Sequence, residues 1–212
     1  MKKLILALIL LILQIMNLHV VFEGDSRTYQ DSWTDIVVDT LQVEDSFVIA
    51  TDGARWTTFE SRAATLDAML VDGKNNILFV WGGVNATKDG KSAEQLHTEM
   101  QAYCTDRRAI GWFVIAMTEI SANPTIKIGW DVIQPELNRL IRDNWTDYAD
   151  MLVDLDSYPQ LQDYSDITYF VDGVHLTEAG NQVVADAVIT AMTQPCKFMC
   201  RWYWRRIERI WN

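Results

Sequence analysis

The chain has 212 residues, of which 49% are apolar, and a formal net charge of −11. That length and composition suit one domain with a sizeable core and exclude a disordered or low-complexity chain. The acidic balance opposes nucleic-acid backbones and anionic membranes, and three cysteines are too few for a disulfide framework.

In chain order, residues 1–17 come first: two lysines, then an apolar run from Leu4 to Met16 broken only by Gln14. The run matches the charged and apolar regions of an export signal and falls short of the roughly 20 residues a spanning helix needs. No small-residue cleavage site follows. An export signal, an uncleaved anchor and a misassigned start at Met16 all fit. Export, or attachment to the cell envelope, is the favoured expectation; a start at Met16 would leave the protein cytoplasmic.

The main domain is expected over residues 18–194. Apolar, β-rich runs at 20–22, 47–50, 77–81, 112–117 and 151–153 predict five strands. Helical spacing predicts helices over 57–70, 92–104, 136–148 and 177–192, the last capped by Thr177. The alternation predicts βαβ units, a parallel five-stranded sheet with helices on both faces, and so a three-layer α/β/α architecture. In such sheets the reactive crevice lies beyond the carboxyl ends of the strands.

Residues 195–212 read as a separate tail, with five cations against Glu208. At helical spacing Met199, Tyr203, Ile207, Ile210 and Trp211 share one stripe, and the charged residues another. Aromatics set against arginine suit a membrane surface; an ordinary helix docked on the body is the favoured expectation. Cys196 and Cys200 are read as a packed or free thiol pair, not a zinc knuckle.

The strand ends carry the chemistry. The first strand runs into Gly24-Asp25-Ser26, the second into Thr51-Asp52-Gly53-Ala54-Arg55, and the third into Gly82-Gly83-Val84-Asn85. Near the end of the domain stands "YFVDGVHLTEAG", with Asp172 and His175. Ser26 alone reads equally as a helix cap or a nucleophile. A serine hydroxyl needs a base, His is the usual base near neutral pH, and a carboxylate commonly holds the imidazole in one tautomer. Asp172 and His175 can reach Ser26 from one loop, with Gly173 freeing the turn between them. An oxyanion would need donors already aimed at it, which the amides of Ser26 and Gly53 and the side chain of Asn85 could supply.

These segments, in this order, resemble the SGNH (GDSL-type) hydrolases over about residues 18–192: Gly24-Asp25-Ser26-Arg27-Thr28, the block around Gly53, Gly83-Val84-Asn85 and Asp172-Gly173-Val174-His175-Leu176. The resemblance implies a flavodoxin-like fold and ester or thioester hydrolysis with no metal or other cofactor. It implies Ser26 as nucleophile, His175 as base, Asp172 as its partner, and Ser26, Gly53 and Asn85 as oxyanion donors. Two departures stand out. Ala86 occupies a position where the family often has Asp, so whatever that Asp braces must be braced otherwise. The second block, "ATDGARWTT", leaves its donor open between Gly53 and Trp56. Arg55, Trp56 and Trp81 are expected to border the site. The expected partner is a small-molecule or glycan ester, foremost an acetyl ester of a carbohydrate. A lipid ester or thioester near a membrane, and a non-catalytic carbohydrate-binding protein on the same fold, are the alternatives.

Other motifs carry less. Gly90-Lys91-Ser92 before a helix nearly makes a phosphate loop, but Asn85 stands where the pattern needs Gly. Asp154 and Asp156 lack the Gly and Glu of a calcium loop. His19 and His97 read as structural.

Overall fold

A computed structural model of the protein describes residues 17–29 and 33–194. The expectations for the leader-like segment and for the tail with Cys196 and Cys200 lie outside the described residues, apart from Asn17.

Five strands form one parallel sheet: β1 (Leu18–Gly24), β2 (Ser46–Ala50), β3 (Asn75–Trp81), β4 (Phe113–Met117) and β5 (Met151–Val153), in spatial order β2-β1-β3-β4-β5. Every residue of β1, β4 and the last five of β3 is buried, as expected for central strands covered on both faces. The helices are α1 (Ser26–Tyr29), α2 (Trp33–Leu41), α3 (Trp56–Asp67), α4 (Ala93–Ile110), α5 (Trp130–Tyr148) and α6 (Glu178–Thr193).

Side chains alternate across each strand and divide the core in two. Val20, Phe22, Ile77, Phe79, Phe113 and Ile115 face α2 and α6. Val21, Leu78, Val80, Val114 and Ala116 face α3, α4 and α5. This is the expected three-layer α/β/α arrangement, with β1 and β3 at the point where the strand order reverses. Ligand crevices of doubly wound sheets open at that point. Ser26 follows β1, and Asn85 follows β3.

Helix boundaries depart from the sequence expectation for local reasons. Helix α4 runs six residues past 104 because its charged last turn still packs Arg107 inward, and Gly111 ends it. Helix α5 begins at Trp130, six residues before the expected start, and contains Pro135. Proline usually opens a helix, which makes residue 136 look like the beginning. Helices α1 and α2 are additions. Helix α2, "WTDIVVDTL", is rich in β-branched residues that favour helix weakly; burial of Trp33, Val37 and Leu41 holds it. Thr177 caps α6 as expected, its hydroxyl accepting from the Gly180 N–H at 3.2 Å.

Candidate active site

Asp25, not Ser26, caps α1. Its carbonyl accepts from the N–H groups of Thr28 and Tyr29, each at 3.0 Å, and its Oδ1 accepts from the Arg27 N–H at 3.0 Å. The Ser26 hydroxyl is thus released from capping. Its Oγ lies 2.9 Å from His175 Nε2, and His175 Nδ1 lies 2.8 Å from Asp172 Oδ2. Gly24 leaves room for this turn: a Cβ there would stand 2.1 Å from Thr28 Oγ1 and 3.0 Å from the Trp81 carbonyl.

The loop between β5 and α6 delivers Asp172 and His175 together. Asp172 Oδ1 accepts from the N–H groups of Val174 at 2.9 Å and His175 at 2.8 Å, while Gly173 takes φ +80° between them. Burial raises the Asp172 carboxyl, but the bonds from the His175 backbone, the His175 ring and Val174 outweigh it and hold the group below its ordinary value. A charged carboxylate at Nδ1 fixes the proton there and leaves Nε2 as the acceptor facing the serine. Ser26 is buried, while the Asp172 side chain is 49% exposed.

Asn85 is buried at the start of the short 3₁₀ helix Val84–Asp89. Its Nδ2 donates to the Ala54 carbonyl at 3.2 Å, and its Oδ1 accepts from Lys127 Nζ at 2.5 Å. The bond to Ala54 brings the second-strand turn beside Asn85. Gly53 sits in that turn, exposed, at φ +68°. Arg55, just before α3, is ion-paired with Asp89 and keeps a partly exposed side chain.

Two expected substrate neighbours are corrected. Trp81 is fully buried, with the Arg27 guanidinium 4.4 Å above its ring and Trp33 against its edge. Trp56 is buried among Phe59 and Tyr103, with ring centroids 5.0 and 6.1 Å away. Neither ring is open to stack on a sugar, because each fills core volume behind the strand ends.

Beneath the serine lies a charge network that the sequence reading missed. Arg27 is buried, with its Nη2 donating to Asp25 Oδ2 at 3.0 Å and its Nη1 to Glu119 Oε2 at 2.8 Å. Burial opposes the Arg27 charge, but the two carboxylates outweigh it and hold the guanidinium protonated. Burial raises Glu119, against the pull of Arg27. Glu119 stands just beyond β4, so inspection of that strand end would have flagged it. Nothing local marks Lys127.

The remaining motifs resolve as structure. Ser92 caps α4, accepting from the Gln95 N–H at 3.3 Å. Asp154 and Asp156 bind Arg142 at 2.7 and 2.8 Å. His19 sits 3.0 Å from Asp45, and His97 packs edge-on to Tyr148.

No family model and no curated protein matches the chain. Solved structures do. A member of the lipolytic protein G-D-S-L family from Veillonella parvula superposes with a TM-score of 0.68 at 17% identity, covering 84% of this chain and 99% of its own. The chain has the SGNH hydrolase fold. A GDSL-like lipase from Bacteroides thetaiotaomicron matches with a TM-score of 0.63 at 16% identity, over 82% of this chain and 87% of its own. A catalytic mutant of an acetylxylan esterase from Geobacillus stearothermophilus matches at 0.60 and 14% identity, over 82% and 93%. At these identities the SGNH likeness concerns the fold.

Proposed function

We propose that the protein is a serine ester hydrolase that works through an acyl-enzyme on Ser26. The observation that carries this reading is the continuous relay from Ser26 Oγ to His175 Nε2 at 2.9 Å and from His175 Nδ1 to Asp172 Oδ2 at 2.8 Å. Ser26 Oγ attacks the ester carbonyl while His175 Nε2 takes its proton, and Asp172 stabilises the imidazolium that forms. The carbonyl oxygen becomes an oxyanion facing the free hydrogen of Asn85 Nδ2, the Ser26 N–H and an amide of the turn holding Gly53. The first amide of α1 has no partner within the helix ladder, so the Ser26 N–H suits this role. Return of the proton from His175 to the alkoxide releases the alcohol. Water, deprotonated by the same His175, then frees the acid and restores Ser26.

The substrate reading is an acetyl or other short-acyl ester of a carbohydrate, supported by the likeness to the acetylxylan esterase. A second reading, a longer acyl chain, is supported by exposed apolar side chains adjacent in sequence to Asp172 and Lys127: Val171 and Ile128, 68% and 77% exposed. We propose that the enzyme is exported or associated with the cell envelope, a reading supported by the lysine-led apolar run within residues 1–17. Among the described residues, no helix is long and apolar enough to cross a membrane.

The test is turnover of p-nitrophenyl esters from acetate to decanoate by wild type and Ser26→Ala. The reading predicts hydrolysis that falls by about 10³-fold or more in the variant. It also predicts the highest kcat/KM at two to four carbons, and a maximum at eight or more would select the second reading. Full activity in Ser26→Ala would sink the mechanism.

A further inference from the structure

We propose that Lys127 is a positioning residue that locks the Asn85 side chain in the one orientation able to stabilise an oxyanion. The inference rests on the ester-hydrolase reading above and assigns to that site a residue no motif identifies.

A carboxamide has two ends, a double acceptor and a double donor, and rotation by half a turn exchanges them. Asn85 is buried, so a wrongly turned amide would not be rescued by water. Each end meets a partner of fixed character. Oδ1 lies 2.5 Å from Lys127 Nζ, which carries only donors, and Nδ2 lies 3.2 Å from the Ala54 carbonyl, which only accepts. In the turned-over state the amide nitrogen would face the ammonium, and the amide oxygen would face a carbonyl. Both contacts would be repulsive. With Oδ1 on Lys127, one Nδ2 hydrogen serves Ala54 and the other remains for the oxyanion. A cation on Oδ1 also polarises the amide and strengthens its N–H as a donor.

The lysine is itself held in place. Lys127 is 8% exposed, on the loop between β4 and α5. Its N–H donates to the Asn123 carbonyl at 2.8 Å, and its own carbonyl accepts from the Trp130 N–H at 3.0 Å. The same loop reaches the Asp172–His175 turn, where the Asn123 N–H donates to the Gly173 carbonyl at 2.8 Å. One segment thus sets both Asn85 and the loop that carries Asp172 and His175. Burial and the neighbouring Arg27 charge push Lys127 below its ordinary value, while Asp25 and Asp172 pull the other way.

The experiment is a double-mutant cycle with p-nitrophenyl acetate: wild type, Lys127→Met, Asn85→Ala and the double variant, with Lys127→Arg as the charge-retaining control. Thermal midpoints are measured for each. The proposal predicts that Lys127→Met lowers kcat about 10- to 100-fold with KM within about threefold, because the oxyanion exists only in the transition state. Lys127→Arg should recover most of that loss. In the Asn85→Ala background, Lys127→Met should have little further effect. Wild-type kcat in Lys127→Met, or an equal loss with and without Asn85, would overturn the proposal while leaving the hydrolase reading intact. A loss that tracks the fall in thermal midpoint, with none recovered by Arg, would also overturn it. Absence of turnover in the wild type would remove both.

Discussion

Ser26 can face His175 because its neighbour takes over the capping of the helix. Asp25 caps α1 through both its backbone and its side chain, so the adjacent hydroxyl can turn to His175. Asp172 is less protected than Ser26, with about half its side chain in water. Asp172→Asn should therefore lower kcat by about 10²- to 10³-fold, less than the about 10⁴-fold typical of a buried partner, since water can replace part of the carboxylate's role. Steady-state kinetics checks the size of the loss. The lowered Asp172 value sets the sign of a second effect. Its stabilising contribution is complete above the ordinary carboxylate range and is lost as pH falls through its own lower value. The gap in thermal midpoint between wild type and Asp172→Asn should narrow on acidification, which thermal unfolding across pH 3–8 measures. At this scale the sequence was legible where function is packed into short motifs: Gly24-Asp25-Ser26 and Asp172-Gly173-Val174-His175. It was opaque where a contact spans distant residues. Lys127 meets Asn85 across 42 positions and Arg27 meets Glu119 across 92, separations at which no local spacing reports a contact.

At the scale of elements, loops position the chemistry and strands position the loops. Gly173 shows how tightly the Asp172–His175 loop is specified. It takes φ +80°, and a Cβ there would stand 3.0 Å from the Asn123 Cβ, on the segment that also carries Lys127. Gly173→Ala should cost about 1–2 kcal/mol of stability from the backbone alone and lower kcat as well, because the loop cannot relax without moving His175. Denaturant unfolding and ester turnover on the same preparation test both; unchanged stability and unchanged kcat would contradict this account of the loop. The strands were readable as buried apolar runs, and the long helices as apolar stripes. Helix α2 was not, since its β-branched residues lack helix preference and it is held by Trp33, Val37 and Leu41 packing on the sheet. The start of α5 was masked by Pro135. Trp56 and Trp81 are core residues, and sequence does not separate them from site residues because a tryptophan beside a strand end looks the same whether it faces the crevice or the core.

The whole molecule adds topology and charge. The alternation of strands and helices predicts a parallel sheet, but not which strands are neighbours; the flavodoxin-like expectation came from the family resemblance, and the β2-β1-β3-β4-β5 order agrees with it. That order sets Ser26 and Asn85 at the β1–β3 reversal, so two residues far apart in sequence converge without any long insertion. The net charge of −11 acts on substrates at a distance. An anionic ester should show a kcat/KM that rises with salt between about 10 and 200 mM as repulsion is screened, while a neutral acetyl ester should show little change. Parallel kinetics on a neutral and a carboxylated ester checks this.

The proposed chemistry depends on activation of Ser26 by His175. The most direct measurement is intact-mass analysis after treatment with a fluorophosphonate probe, alongside His175→Ala. One adduct per chain is expected, mapping to Ser26 and lost or greatly slowed in the variant. Folded wild-type protein that takes up no probe, or takes it up elsewhere or at the same rate without His175, would contradict it.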